Sequence, residues 1–184
     1  MEERVKFLKN AILGKQVGAI VRSSEYVING VLKNLSGKIF HNVVEYGPGD
    51  GVLTKELLKL LSPDGKMIVV ELNNNFVSIL KSINDPRLAV ICGEMEDVSL
   101  NLNKYGFDKA DLVVSSVPFS MIDKEDRNAV VSSTYNSLNV GGRFIIFHQY
   151  SPLMVGFLKK YFRNVTVSFE LRNFPPCFIM SAKK

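Results

Sequence analysis

The residues best suited to chemistry lie close together in the chain. Val43-Val44-Glu45-Tyr46-Gly47-Pro48-Gly49-Asp50-Gly51 sets three glycines at alternate positions directly behind an acid. Alternate glycines let a backbone turn tightly and lie against a ligand without side-chain interference. A second acid, Glu71, follows the last glycine by 71 − 51 = 20 residues and ends the next apolar run. A carboxylate there can accept both hydroxyls of a ribose. Glycine loops also serve dinucleotides, whose pyrophosphate sits on a helix N-terminus. Asp50 inside this loop is unwelcoming to such an anion. The acids instead favour a nucleoside that carries positive charge and no phosphate.

These residues need strand tips to hold them, and the chain supplies strands in the right order. Short apolar runs at 42–46, 66–71, 88–92, 112–116 and 143–148 read as strands. Helical runs at 53–61, 75–83, 124–138 and 153–162 separate most of them, with Ser62-Pro63-Asp64-Gly65 and Asn139-Val140-Gly141-Gly142 as turns. Near-continuous apolar strands alternating with helices predict a parallel sheet covered on both faces. Runs at 165–171 and 178–182 have no helix between them, which predicts a final antiparallel hairpin. The fold class expected is therefore α/β and Rossmann-like: a seven-stranded, mostly parallel sheet with an antiparallel last strand and helices on both faces. One domain over 1–184 is expected. Two helices precede the glycine loop: one over 3–14, and one over 25–35 with Val27, Val31, Leu32 and Leu35 inward, after Ser23-Ser24.

The formal charge is +5, and it is uneven. Arg4, Lys6, Lys9, Lys15 and Arg22 outweigh Glu2 and Glu3 at one end, and six Lys and Arg outweigh Glu170 beyond residue 150. A basic surface favours an anionic partner, either nucleic acid or lipid. Cys92 and Cys177 sit in apolar runs and read as buried free thiols, and two histidines give no metal-ligand spacing. No apolar run reaches a transmembrane length, and no signal-peptide core is present, so a cytoplasmic protein, peripheral at the inner membrane face, is expected.

Glu45-Tyr46-Gly47-Pro48-Gly49-Asp50-Gly51 followed by Glu71 resembles the class I S-adenosylmethionine-dependent methyltransferase family over at least residues 38–150. The resemblance implies S-adenosylmethionine as cofactor and S-adenosylhomocysteine as product. Glu45 and Gly47 would face the methionine part and Glu71 would hold the ribose, with Tyr46, Gly49, Gly51 and Leu72 also in the cofactor site. Glu94 and Met95 would flank the adenine; a solvated acid and a core side chain are the plainer readings of that pair. Ser115, Ser116 and Pro118 would line the mouth where the methyl group emerges.

Three further pieces stand in order along nearly the whole chain: Val17-Gly18-Ala19-Ile20 with Ser23-Ser24, Ser116-Val117-Pro118-Phe119, and Asn173-Phe174-Pro175-Pro176. Together they resemble the bacterial phospholipid N-methyltransferases, which carry phosphatidylethanolamine toward phosphatidylcholine. Two departures stand out: Arg22 where that family has Pro, and Gln149-Tyr150-Ser151 where it often has Thr-Tyr-Gly. The resemblance implies an anionic or zwitterionic membrane lipid as substrate and surface. Ser23, Ser24, Pro118, Phe119 and Arg172 would touch substrate, and Tyr26, Ser116, His148 and Tyr150 are the catalytic candidates. His148 as an ordinary core-edge residue and Arg172 as a solvated charge remain open beside those roles. Residues 1–35 would form a helical lid that meets the membrane, or cap the core.

The ribosomal RNA adenine N6-dimethyltransferases are also similar, with Asn-Ile/Leu-Pro-Tyr/Phe after the fourth strand. Here Ser116 replaces that Asn, and a hydroxyl cannot present the same carbonyl acceptor to a base. RNA or a small molecule is the second acceptor class, and a catalytically silent cofactor- or membrane-binding module is a third reading.

Overall fold

The computed structural model describes residues 24–35, 37–149 and 151–184. The expected helix over 3–14, Ser23 and Tyr150 lie outside these residues. Helix α1 (Glu25–Leu35) leads into β1 (Phe40–Tyr46), α2 (Val52–Lys59), β2 (Leu61–Glu71), α3 (Asn74–Lys81) and β3 (Leu88–Cys92). Then come α4 (Met95–Leu100), β4 (Ala110–Ser115), α5 (Lys124–Ser137), β5 (Leu138–Gln149), α6 (Val155–Tyr161), β6 (Asn164–Glu170) and β7 (Cys177–Lys183).

The seven strands form one sheet in the order β3-β2-β1-β4-β5-β7-β6. The first five pair in parallel, and β7 runs antiparallel between β5 and β6. This is the expected architecture. Because strand side chains alternate between faces, the apolar runs feed two cores. Val44, Ile68, Val113, Phe144 and Ile146 are buried on one face, together with residues of α4, α5 and α6. Val43, Val69, Leu112, Val114 and Ile145 are buried on the other, with residues of α1, α2 and α3. Burying each such side chain contributes roughly 1.5–3 kcal/mol, and polar groups near the strand ends add to the register that this packing sets.

Asp111 is one of them. The ladders of β1 with β2 and of β4 with β5 both shift register near the strand starts. There the Asp111 carboxylate accepts the His41 and Asn42 backbone N–H groups at 3.1 and 3.0 Å, and the Asn139 side-chain amide at 2.7 Å. One carboxylate thus joins β1, β4 and β5 where the regular ladder lapses.

Helix α1 spans 25–35 as the apolar spacing implies, with Val27, Ile28, Val31 and Leu35 buried and Leu32 partly so. Its approach to β7 is close: a Cβ at Gly30 would stand 2.5 Å from Ile179 Cδ1. One expectation is corrected. Cys92 is exposed at the end of the edge strand β3, where its thiol donates to Oδ1 of Asn74, the first residue of α3, at 3.3 Å. Cys177 is buried as expected, and burial pushes its thiol up to about 11. The short helix α4 is an addition to the expected elements, since its six residues are too few to show an apolar repeat.

Asp111→Ala should lower unfolding stability by about 1–3 kcal/mol, the cost of several lost charge-assisted hydrogen bonds at a half-exposed site. Urea denaturation reads this directly; unchanged stability would remove Asp111 from the account of register.

Candidate active site

The parallel strands all end on one edge of the sheet, and the chemistry-bearing residues gather there. Gly47, Gly49 and Gly51 all adopt positive φ, at 67°, 57° and 78°. At Gly47 a Cβ would also meet Val117 Cγ2 at 3.1 Å, so the β1 loop lies tightly against the β4 loop. At Gly49 a Cβ would meet nothing within 4 Å. Open space above a left-handed glycine is the cradle that a ligand lying on the backbone needs.

Glu71 is held rigidly at the tip of β2. Its Oε2 accepts the Gly49 N–H at 3.1 Å, and its Oε1 accepts those of Leu72 and Asn73 at 2.9 Å each. The residue is 8 % exposed, so it presents a fixed negative edge beside the loop. Asn73 also caps α3 by accepting the Asn75 N–H at 2.9 Å. Strand end, ribose-type acid and helix start are therefore built as one unit.

Glu45 is buried beneath the loop, and Thr54 donates its hydroxyl to Glu45 Oε2 at 2.7 Å. Burial pushes this carboxyl up to about 7, Thr54 draws it down, and the nearby Glu71 charge raises it further. A buried acid facing another acid is costly to ionise. A cation delivered to the same place would relieve both terms. The residues present thus fit a ligand with a cationic amino-acid end and a ribose.

The β4 end closes the other side. Ser116 donates its hydroxyl to the Gly47 carbonyl, and its N–H donates to the Tyr46 carbonyl at 3.1 Å. Ser115 is fully buried and accepts the Val117 N–H at 3.3 Å. Ser116 therefore ties the β4 loop to the β1 loop, while Ser115 shapes the turn of its own segment. Pro118 is half-buried beside them.

Several expected roles change. Tyr46 turns its ring into the core, edge-on to Phe144, with its hydroxyl 3.3 Å from Thr134 Oγ1. Burial pushes that phenol up to about 12. Only the Tyr46 backbone belongs to the loop. Phe119 is fully buried in the core and presents no ring to a substrate. Ser24 caps α1, accepting the Val27 N–H at 3.4 Å and, through its carbonyl, the Ile28 N–H at 3.1 Å. A cap satisfies otherwise orphaned helix donors, which is a structural role.

His148 is buried at the end of β5, and its Nε2 accepts the Ser120 N–H at 3.3 Å. Burial lowers its pKa, so the neutral ring acts as a strut between β5 and the β4 loop, and its Nε2 is already engaged. Glu94 stands at the start of α4, and Met95 packs partly buried against the core. Tyr26, at the first turn of α1, meets the β6–β7 turn: the Arg172 guanidinium stacks on its ring at 4.5 Å. Arg172 also donates to both oxygens of Glu170, at 2.8 and 2.7 Å, and holds that carboxyl down at about 2. The site residues missed in the sequence are Thr54, Asn73 and Ser120. A hydroxyl in the first turn after the glycine loop, three residues past Gly51, was the available signal for Thr54. Among the described residues no cluster of three or more His, Cys, Asp or Glu could hold a metal ion.

The family profile described as a methyltransferase domain matches residues 43–142, which is 100 of the 184 residues. The chain belongs to this methyltransferase family. It is an enzyme of the S-adenosylmethionine-dependent class, and S-adenosylmethionine is its methyl donor. It is 28% identical over 173 residues to the ornithine lipid N-methyltransferase of Singulisphaera acidiphila, an alignment spanning 93% of this chain and 88% of that protein. It is 31% identical over 96 residues to the ribosomal RNA small subunit methyltransferase A of Mycoplasma mycoides subsp. mycoides, covering 50% of this chain and 35% of that one. In fold it resembles the N-methyltransferase NodS from Bradyrhizobium japonicum, solved with S-adenosylhomocysteine, with a TM-score of 0.73 at 11% identity over 98% of this chain and 97% of that one.

The Glu45 carboxyl gives this methyltransferase a pH signature. Its folded pKa lies above its unfolded one, so the neutral form stabilises the empty protein most fully below the unfolded value. That contribution is lost as the pH rises through about 7. Binding of a cationic ligand requires the ionised form. Cofactor affinity should therefore fall as the pH drops below about 7, approaching tenfold per pH unit. Calorimetric titration across pH checks this. A profile that is flat in the wild type, or unchanged in Glu45→Gln, would contradict it.

Proposed function

We propose that the protein transfers methyl groups to the primary amine of a membrane-lipid head group. The observation that carries this reading is the extent of the similarity: the lipid N-methyltransferase aligns over nearly the whole chain, whereas the ribosomal RNA enzyme aligns over half. The ends are where an acceptor would be selected, because the shared middle holds the donor site. Phosphatidylethanolamine is one acceptor of this class, and an ornithine lipid is another.

Ser116 supports the same choice. Its hydroxyl donates to the Gly47 carbonyl, and what it presents is a short hydroxyl oxygen rather than the side-chain carbonyl that the ribosomal RNA enzymes hold toward an exocyclic base amine. Phe119 is buried and is not placed to stack on a base.

S-adenosylmethionine, when bound, supplies an electrophilic methyl carbon on a cationic sulfur. The protein's own contribution is alignment. Glu71 fixes the ribose end, Glu45 takes the positive charge, and the Ser115–Pro118 segment walls the mouth. An amine near pKa ~10 arrives protonated and must lose its proton before attack. Of the candidate bases, His148 has its Nε2 engaged by Ser120 while its buried Nδ1 makes no hydrogen bond among the described residues, Tyr26 lies under a guanidinium, and Tyr150 lies outside the described residues. The proton then passes to solvent water at the half-buried mouth, where partial burial weighs against the ammonium form. The Ser115–Pro118 segment would hold the neutral nitrogen within reach of the methyl group that the donor supplies. The new ammonium releases a proton before any further round.

The test is methyl-labelled donor given with vesicles containing phosphatidylethanolamine, vesicles containing ornithine lipid, and ribosomal RNA in parallel. Label is expected in an aminolipid and to fall at least about a hundredfold in Glu71→Ala. Label in RNA alone would replace the lipid reading with the RNA one.

A further inference from the structure

The turn joining β6 to β7 is unlike any other exposed loop of the described chain. Antiparallel pairing sets Glu170 and Cys177 level with Gln149, at the end of β5. Residues 171–176 therefore project from the same sheet edge as Gly47, Gly49 and Glu71. Phe174 is 89% exposed and Leu171 72%. Behind them, Phe169 is half exposed and braced by Phe178, with ring centroids 4.5 Å apart. The apolar tip is thus stiffened from one face.

The other face is basic and polar. Tyr26, Asn29, Leu32, Lys33 and Arg172 line an open recess of about 420 Å³ between α1 and the turn. The one acid at the turn, Glu170, is paired by Arg172. Lys33 lies near enough to lower the Glu170 pKa further. Lys33 and Arg172 thus place cationic side chains along this flank.

Exposed Phe and Leu at a projecting tip, with a cation-lined recess one step behind, match the depth profile of a bilayer interface. Apolar side chains enter the acyl boundary while cationic and aromatic groups stay among head groups. We propose that the β6–β7 turn, led by Leu171 and Phe174 with Lys33 and Arg172 behind, docks the protein on an anionic lipid bilayer. The inference deepens the lipid reading above and rests on it, because docking there turns the donor-bearing sheet edge toward the membrane. A head-group amine then reaches the mouth without the lipid leaving the bilayer. A phosphate-bearing or carboxylate-bearing lipid suits the recess, through Lys33, Arg172 and the Tyr26 hydroxyl.

The chain contains no Trp, so Phe174→Trp gives a single reporter. With phosphatidylglycerol vesicles its emission should shift to the blue and be quenched by brominated acyl chains. The shift should weaken in phosphatidylcholine vesicles and at high salt. Leu171→Ser/Phe174→Ser should lower vesicle co-sedimentation of the full chain at least tenfold while S-adenosylmethionine binding and melting temperature hold. Lys33→Gln should lower binding to anionic vesicles selectively.

Vesicle binding unchanged in the double variant, or emission of the Phe174→Trp reporter indifferent to vesicles, would overturn the proposal even if aminolipids are methylated. A sedimenting dimer that the double variant dissociates, with vesicle binding retained, would assign the tip to a second copy instead. Failure of lipid methylation with docking intact would sink the acceptor assignment and leave the docking surface standing.

Discussion

Two carboxylates with little access to water, at neighbouring strand tips, govern the rest of the arrangement. Glu71 ends β2 and Glu45 stands one residue before the end of the neighbouring β1, level with Val69, so the two acids lie near one another at an edge that a packed sheet keeps largely dry. Three backbone N–H groups compensate Glu71, and one hydroxyl compensates Glu45. The balance is incomplete, as the raised Glu45 pKa shows. An arrangement that costs stability when empty is retained where a ligand resolves it. A positively charged donor does so, and a phosphate-bearing one would aggravate it.

Much of the fold follows from keeping those tips in place. Continuous apolar strands fill a core on each face, and the glycines let the β1 loop pass between β2 and β4. Ser116 and His148 extend the same scaffold sideways, tying the β1, β4 and β5 ends together through backbone groups. The antiparallel β7 brings the β6–β7 turn round to this edge. The glycine-loop edge and the exposed β6–β7 turn are thus consequences of one sheet topology.

The sequence showed the donor half more fully than the acceptor half. Glycine spacing, Glu45, Glu71 and the strand periods are local signals, and they placed the loop, the parallel sheet and the final hairpin. Roles decided by side-chain direction were less visible. Tyr46 and Phe119 stand in the right segments, yet alternation and the turn after β4 send their rings inward. Ser24 reads equally as substrate ligand or helix cap until the helix is seen. The Tyr26–Arg172 contact joins residues 146 positions apart (172 − 26), and no pattern along the chain announces it. The Asn173-Phe174-Pro175-Pro176 segment was conspicuous in sequence, but its exposure at the sheet edge emerges only once β6 and β7 pair.

The central claim is that the glycine loop and the two strand-tip acids form one site for a cationic nucleoside. Calorimetric titration of S-adenosylmethionine into the wild type and Glu71→Gln, with a nicotinamide dinucleotide as comparison, tests it most directly. The account expects binding of S-adenosylmethionine but not the dinucleotide, weakened at least tenfold by the substitution, or about 1.4 kcal/mol. Equal affinity in the two proteins, or preference for the dinucleotide, would contradict it.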